Sequence, residues 1–166
     1  MAKKNKVVKT NAMRALDVAG IEYETRTYNP EDYDAHHDLG LQIAQALGED
    51  PAAVFKTLVC ETTNKDHIVC CIPVAEELDL KAAAAAAEEK SLVLLAVRDL
   101  EKTTGYIRGG CTPVGMKKDF PTLIDETAIL FDKIVLSGGK PGIQLIVAPD
   151  DLIGFIDAKL VDITRS

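Results

Sequence analysis

The chain has 166 residues and a mass of 17.9 kDa, the size of one domain built on one hydrophobic core. Its 47% hydrophobic and 27% charged content excludes wholesale disorder, and no apolar run is long enough to cross a membrane as a helix. The net charge is −7, and four of the lysines fall in residues 1–10, which leaves 15 basic side chains against 26 acidic ones in the rest. Such an acidic body excludes a protein that coats DNA or RNA by counterion release, while leaving room for a small basic pocket that grips one end of an RNA.

Residues 1–10 read as a solvated basic tail, since no apolar stretch of a secretory signal follows them. Thr10 or Asn11 caps a first helix whose Ala12, Ala15, Leu16 and Ala19 share a face, and Gly20 ends it. Ile21–Tyr28 alternates as a strand and Asn29–Asp32 turns. A second helix is expected over Leu39–Leu47, stopped by Gly48, and a short third begins at Asp50-Pro51. Thr57–Glu61 and His67–Val74 form a hairpin across a polar loop. Glu76–Lys90, with its alanine run, reads as one long helix. Leu92–Ala96 reads as a buried strand and Val97–Thr103 as a short helix ending before Gly105. Lys133–Leu136 and Ile143–Val147 are strands, Pro149 opens a helix, and Lys159–Ile163 is a final strand. Strands interspersed with helices, some joined by hairpins, predict an α/β or α+β fold with a mixed sheet, in a single domain spanning residues 1–166.

Three segments hold an unusual share of groups able to do chemistry. Lys56 enters an apolar strand, Val54–Val59; in a cleft it would hold a phosphate or polarise an ester carbonyl, and at an edge it would snorkel to water. Thr103–Gly115 contains four glycines with Tyr106 and Arg108, a pattern that frees backbone amides for an anion or oxyanion. Ser137-Gly138-Gly139-Lys140-Pro141-Gly142 resembles a phosphate cradle but lacks the spacing of an ATP-binding loop. Metal ligation is not expected. Cys60, Cys70, Cys71 and Cys111 include no Cys-x-x-Cys pair, Cys70 and Cys71 face opposite ways on a strand, and His36-His37 read as exposed loop histidines. The cysteines are too sparse for a disulfide scaffold, which points to free thiols and a cytoplasmic protein.

Taken together and in order, Val54-Phe55-Lys56-Thr57-Leu58, Leu78-Asp79-Leu80-Lys81, Thr104–Gly110, Pro113–Lys118, Pro121–Asp125 and Ser137–Lys140 resemble the YbaK/EbsC family of aminoacyl-tRNA deacylases, related to the editing domain of bacterial prolyl-tRNA synthetases. The resemblance runs from about Ala12 to Ile163. It implies a curved mixed sheet closing toward a barrel with helices around it, and removal of a wrong amino acid from charged tRNA: Cys-tRNA(Pro), and Cys-tRNA(Cys) when the synthetase is present. It implies no cofactor, no membrane and no DNA. The partners it implies are the 3′ aminoacyl-adenosine end of a mischarged tRNA and a prolyl- or cysteinyl-tRNA synthetase. Lys56 falls on the family's functional lysine, Gly109 on the glycine whose backbone faces the ester, and Tyr28 on a pocket tyrosine; Thr57, Gly110, Ser137, Gly138, Gly139 and Gln144 complete the expected binding set. The chain departs from the Cys-specific members at two places: Gln144 stands where they carry an aspartate, and Pro141 replaces an arginine. Three other readings stay open on the sequence: a non-catalytic module binding tRNA or a synthetase, a small-nucleotide or anion-binding protein that keeps the fold with a pocket changed at Gln144 and Pro141, and a deacylase of another mischarged tRNA such as Ala-tRNA(Pro).

Overall fold

A computed structural model describes residues 8–165. Most of the expected basic tail, residues 1–7, lies outside the described residues. Lys9 and Thr10 belong to the folded body: Lys9 pairs with Asp17, and the Thr10 hydroxyl accepts from the Met13 N–H to cap α1 (Asn11–Ala19), which Gly20 closes in the left-handed region.

The expected mixed architecture is present, and its strands fall into three sheets. The three-stranded sheet joins β1 (Tyr23–Thr27) to the later hairpin of β7 (Ile134–Ser137) and β8 (Ile143–Val147), in the order β1-β8-β7. In the five-stranded sheet, the hairpin of β2 (Phe55–Thr62) and β3 (His67–Pro73) is flanked on one edge by β5 (Leu92–Leu94). On the other edge β6 (Thr122–Asp125) and β9 (Lys159–Val161) add in parallel. β4 (Glu77–Leu78) and β10 (Thr164–Arg165) form a two-stranded ribbon. The larger sheets meet through a single bridge between Val54 and Val135 and do not close into the barrel that the resemblance implied.

The packing has three parts. The main core lies between the larger sheets: Phe55, Val59, Val69 and Ile124 from one meet Ile134, Leu136, Leu145 and Val147 from the other. Ala12, Met13 and Leu16 of α1 and Leu152 of α5 (Pro149–Ile156) complete it. Behind the five-stranded sheet, Cys60, Ile68, Cys70, Ile72 and Leu123 pack on α3 (Leu80–Ala86). Cys70 and Cys71 therefore do point to opposite cores, as a two-residue pleat requires. On the far side of the three-stranded sheet, Val135 and Ile146 meet Val54, Val74 and Ala44 of α2 (Leu39–Ala46).

Three expected elements are corrected. The long helix Glu76–Lys90 is the short β4 followed by the seven-residue α3, because the Asp79 side chain accepts from the Ala82 N–H and starts the helix there. The strand at Leu92 is an exposed edge rather than a buried one; Val93 and Leu94 are more than half exposed. The short helix expected at Asp50-Pro51 is a single 3-10 turn, Pro51–Ala53, that feeds directly into β2. α4 (Val97–Thr104) follows expectation, with Gly105 in the left-handed region after it.

β6 has no counterpart in the sequence reading. It ends at Asp125, 1% exposed, whose carboxylate accepts from the Ile163 N–H at 3.2 Å and from the Thr127 hydroxyl at 2.6 Å. This one side chain ties the sheet to the C-terminal segment. Asp125→Ala is expected to destabilise the fold by about 2 kcal/mol or more, since a buried N–H and a hydroxyl both lose a charged acceptor; urea unfolding measures it.

Candidate functional site

Strand alternation sets the first site residue. Lys56 at the start of β2 faces away from its neighbours Phe55 and Thr57, and all three border a cavity of about 250 Å³ at this end of the strand. The cavity is floored by β2, walled by β7 and β8, and covered by α2 and the glycine-rich loop at Arg108–Cys111. It is smaller than the roughly 300–1,000 Å³ of sites that enclose whole drug-sized ligands. Its size suits a compact group at the end of a larger molecule.

Lys56 is half-buried and has no hydrogen-bond or ion-pair partner among the described residues. Burial pushes its pKa below the ordinary lysine value of 10.5, and the carboxylates of Asp38, Glu77 and Glu76 only partly offset this. A half-buried lysine left without a partner is a cation held ready for an incoming anion or dipole. Its Nζ, followed by nitrogen-detected NMR, is expected to titrate below 10.5, and an anionic ligand is expected to move the midpoint back up.

Gly109 lines the same cavity with φ +85°, a conformation that glycine adopts without strain. Its N–H has no protein partner among the described residues. Gly110 differs. Its N–H is committed to the Ile107 carbonyl at 2.9 Å, and an added Cβ would lie 2.8 Å from Pro141 Cδ and 3.0 Å from Lys140 Cα. Gly110 therefore lets two loops pack together and does not form the cavity wall.

The same division runs through the third segment. Ser137, Ile143 and Gln144 line the cavity. Gly138 and Gly139 lie outside it and shape the hairpin. The Gly138 N–H donates to the Ile143 carbonyl at 2.8 Å, and its own carbonyl accepts from the Thr10 hydroxyl at 2.6 Å, seating α1. Tyr28, just past β1, lines the cavity with its ring edge-on to Tyr33 at 5.8 Å; its backbone N–H donates to the Gly142 carbonyl. Burial raises its hydroxyl pKa, so it stays a neutral donor. Thr57 lines the cavity as well, with its hydroxyl 3.8 Å from Cys71 Sγ.

Three further wall residues, Asp38, Arg108 and Cys111, were not among the site residues expected from the sequence. Asp38 sits at the N-cap of α2 with φ 39° and makes no capping bond, and Arg108 is exposed at the rim. Asp38 has a weak sequence signal, an acid just before an apolar helix. Cys111 lines the cavity, but burial pushes its thiol up to about 12, which keeps it protonated and a poor nucleophile. His36 and His37 are exposed, and among the described residues no three His, Cys, Asp or Glu side chains converge as a metal site.

The profile of the aminoacyl-tRNA editing domain matches residues 39–155, and the chain belongs to that family. A protein of Enterococcus faecalis (strain ATCC 700802 / V583) that bears the inferred name Cys-tRNA(Pro)/Cys-tRNA(Cys) deacylase EbsC is 39% identical over 164 residues, covering 99% of this chain and 98% of its own. A crystal structure described as an inferred trans-editing enzyme for prolyl-tRNA synthetase shares the fold with TM-score 0.80 and 21% identity, covering 96% of this chain and all of that one. A hypothetical protein of known structure aligns at TM-score 0.83 and 18% identity, over 94% of this chain and all of its own.

Proposed function

We propose that the chain is a trans-editing deacylase that frees tRNA of a wrongly attached amino acid in the cytoplasm, with Cys-tRNA(Pro) as its principal substrate and Cys-tRNA(Cys) as a second. The observation that carries the reading is Lys56: a half-buried ammonium, without a partner among the described residues, in a cavity that Gly109 also lines. The full-length likeness to EbsC supplies the substrate. No helix among the described residues is long and apolar enough to cross a membrane.

The bond to be broken is an ester between the amino acid and the terminal ribose. Its carbonyl oxygen gains negative charge in the transition state, and a donor aimed at that oxygen stabilises the change. In this reading the Gly109 N–H takes that role, and Lys56 adds positive charge while holding the terminal phosphate or ribose. Tyr28, Thr57, Ser137 and Gln144 border the space for the amino acid. No protein nucleophile is needed. The thiol of a bound cysteinyl group attacks its own carbonyl carbon, a C–S bond forms, the ester C–O bond breaks, and the thiol proton passes to the departing ribose oxygen. The products are a cyclic thiolactone and a tRNA with its hydroxyl restored. Holding thiol and carbonyl together supplies most of the rate. A prolyl- or cysteinyl-tRNA synthetase is the natural source of the substrate and is proposed as a partner.

Purified protein incubated with Cys-tRNA(Pro) is expected to shorten the lifetime of the ester bond severalfold or more. An unchanged lifetime at micromolar protein overturns the reading and leaves a binding module.

A further inference from the structure

The bases of this acidic chain are not spread evenly. Three stretches, Lys9–Leu16, Thr104–Lys118 and Ile134–Pro149, hold six exposed bases (Lys9, Arg14, Arg108, Lys117, Lys118 and Lys140) and none of the 26 acids. The fold packs these stretches against one another. The Thr10 hydroxyl donates to the Gly138 carbonyl at 2.6 Å. A Cβ on Gly139 would lie 3.2 Å from Thr10 and from the Tyr106 ring, and one on Gly115 3.0 Å from the Asn11 backbone. A Cβ on Gly110 would lie 3.0 Å from Lys140 Cα. The glycine-rich loop, the β7–β8 turn and the start of α1 therefore meet. We propose that this basic face carries the acceptor arm of the tRNA: with the aminoacyl end in the cavity, the 3′ strand leaves past Arg108 and its phosphates lie over Lys140 and Arg14. This rests on the deacylase reading above.

The face is continuous with the site, because Arg108 lines the cavity and is exposed at its rim. Its charge is also uncommitted. Among the described residues, Arg14, Arg108 and Lys140 have no carboxylate within ion-pair distance; of the six bases only Lys9 is paired, with Asp17. Arg14 donates to two neutral oxygens, the Lys9 carbonyl and Asn11 Oδ1, and so keeps its full charge toward solvent. The Lys117 ammonium rests on the Lys102 carbonyl near the end of α4. Glu101 and Asp119 lie just beyond the two ends of the middle stretch.

The other approach to the cavity has the opposite sign. The segment leading into α2 carries Glu31, Asp32, Asp34 and Asp38, all exposed, with no Lys or Arg among residues 29–38. A phosphate chain leaving the cavity is repelled by that side and attracted by the glycine-loop side. The same composition favours RNA over a protein at this face. Protein contact surfaces are depleted of lysine, whereas phosphates are held by Lys and Arg. Phosphate contacts fix position without reading bases, so the face accepts tRNA(Pro) and tRNA(Cys) alike.

The test measures binding of uncharged tRNA(Pro) and tRNA(Cys) to the full chain by fluorescence anisotropy over a series of salt concentrations. It adds the 3′-cysteinyl ester of adenosine as a substrate that lacks the arm. Arg14→Gln combined with Lys140→Gln is expected to weaken both tRNAs about tenfold at about 0.1 M salt and to flatten the log–log salt slope by about one to two. Lys65→Gln combined with Lys90→Gln removes the same charge beside Thr62 and Leu92, which pair at the end of β2 away from Lys56; it is expected to leave binding within about twofold. Arg14→Lys with Lys140→Arg is expected to retain binding. Cleavage of the adenosine ester is expected to be the same in all three pairs, and thermal melts confirm that each is folded. Equal weakening by the two neutralised pairs, unchanged tRNA binding in Arg14→Gln with Lys140→Gln, or slower cleavage of the adenosine ester in that pair overturns the proposal. So does a loss seen only when prolyl-tRNA synthetase is added, which would make the face a protein contact. The expected tRNA binding without cleavage of either ester counts against the deacylase reading alone.

Discussion

Lys56→Ala is expected to lower the rate of Cys-tRNA(Pro) deacylation by about 100-fold or more, the scale on which single charge-stabilising groups act in polar transition states. The same change should move stability by no more than about 1 kcal/mol. Lys56 has no ion-pair partner to be orphaned, and Asp38, Glu76 and Glu77, which feel its charge, are all exposed and remain solvated. Lys56→Arg is expected to fail as a rescue. A guanidinium is planar and larger than an ammonium, and the cavity beside Gly109 is only about 250 Å³. Single-turnover deacylation together with a urea melt on each variant reads both effects. Activity within a few-fold of the unsubstituted enzyme would remove Lys56 from the chemistry.

The second large effect concerns the amino acid. Ser-tRNA and Ala-tRNA are expected to be cleared at least about 100-fold more slowly than Cys-tRNA(Pro) under the same conditions, because the proposed nucleophile is the substrate's own thiol. Size gives no comparable discrimination, since a pocket that admits cysteine admits both of the others. Serine is the sharper comparison. It offers nearly the same shape, but its hydroxyl is far less nucleophilic than a thiol. Cys111 is no substitute nucleophile, because its own thiol is held protonated. Equal rates for the three esters would replace the thiol mechanism with attack by water.

Local chemistry made much of this fold readable. The Gly20 stop, the polar loop between β2 and β3 and the hairpin at Ser137–Gly142 all act over a few residues and were placed correctly, and the first helix cap, left between Thr10 and Asn11, falls on Thr10. Composition misled where it is a poor guide to length: the alanine run suggested a helix from Glu76 to Lys90, and the Asp79 cap starts it later. β6 was missed because its four residues, Thr122–Asp125, make a strand only by pairing with β3 and β9, both distant in sequence. The site divides in the same way. Lys56 stood out as a charge in an apolar run, and Gly109 as part of an unusual glycine pair. That Gly110, Gly138 and Gly139 serve loop packing rather than the cavity wall depends on what a Cβ would strike. Gln144 came only through the family resemblance, and the bond from its amide to Glu49, 95 residues away, is a tertiary fact.

Tyr23 of β1 pairs with Val147 of β8, so the three-stranded sheet joins strands from opposite ends of the chain. Synthesis on a ribosome delivers the N-terminal part first, at about 5–20 residues per second, and distant pairings wait until both strands are available. The β2–β3 hairpin, Lys56 included, can form early from neighbouring residues. Ser137, Ile143 and Gln144 cannot join it until β8 has left the exit tunnel. An unfinished copy thus carries the lysine without the enclosure around it. The growing chain emerges among aminoacyl-tRNAs delivered for its own synthesis, and it has no assembled site with which to strip them.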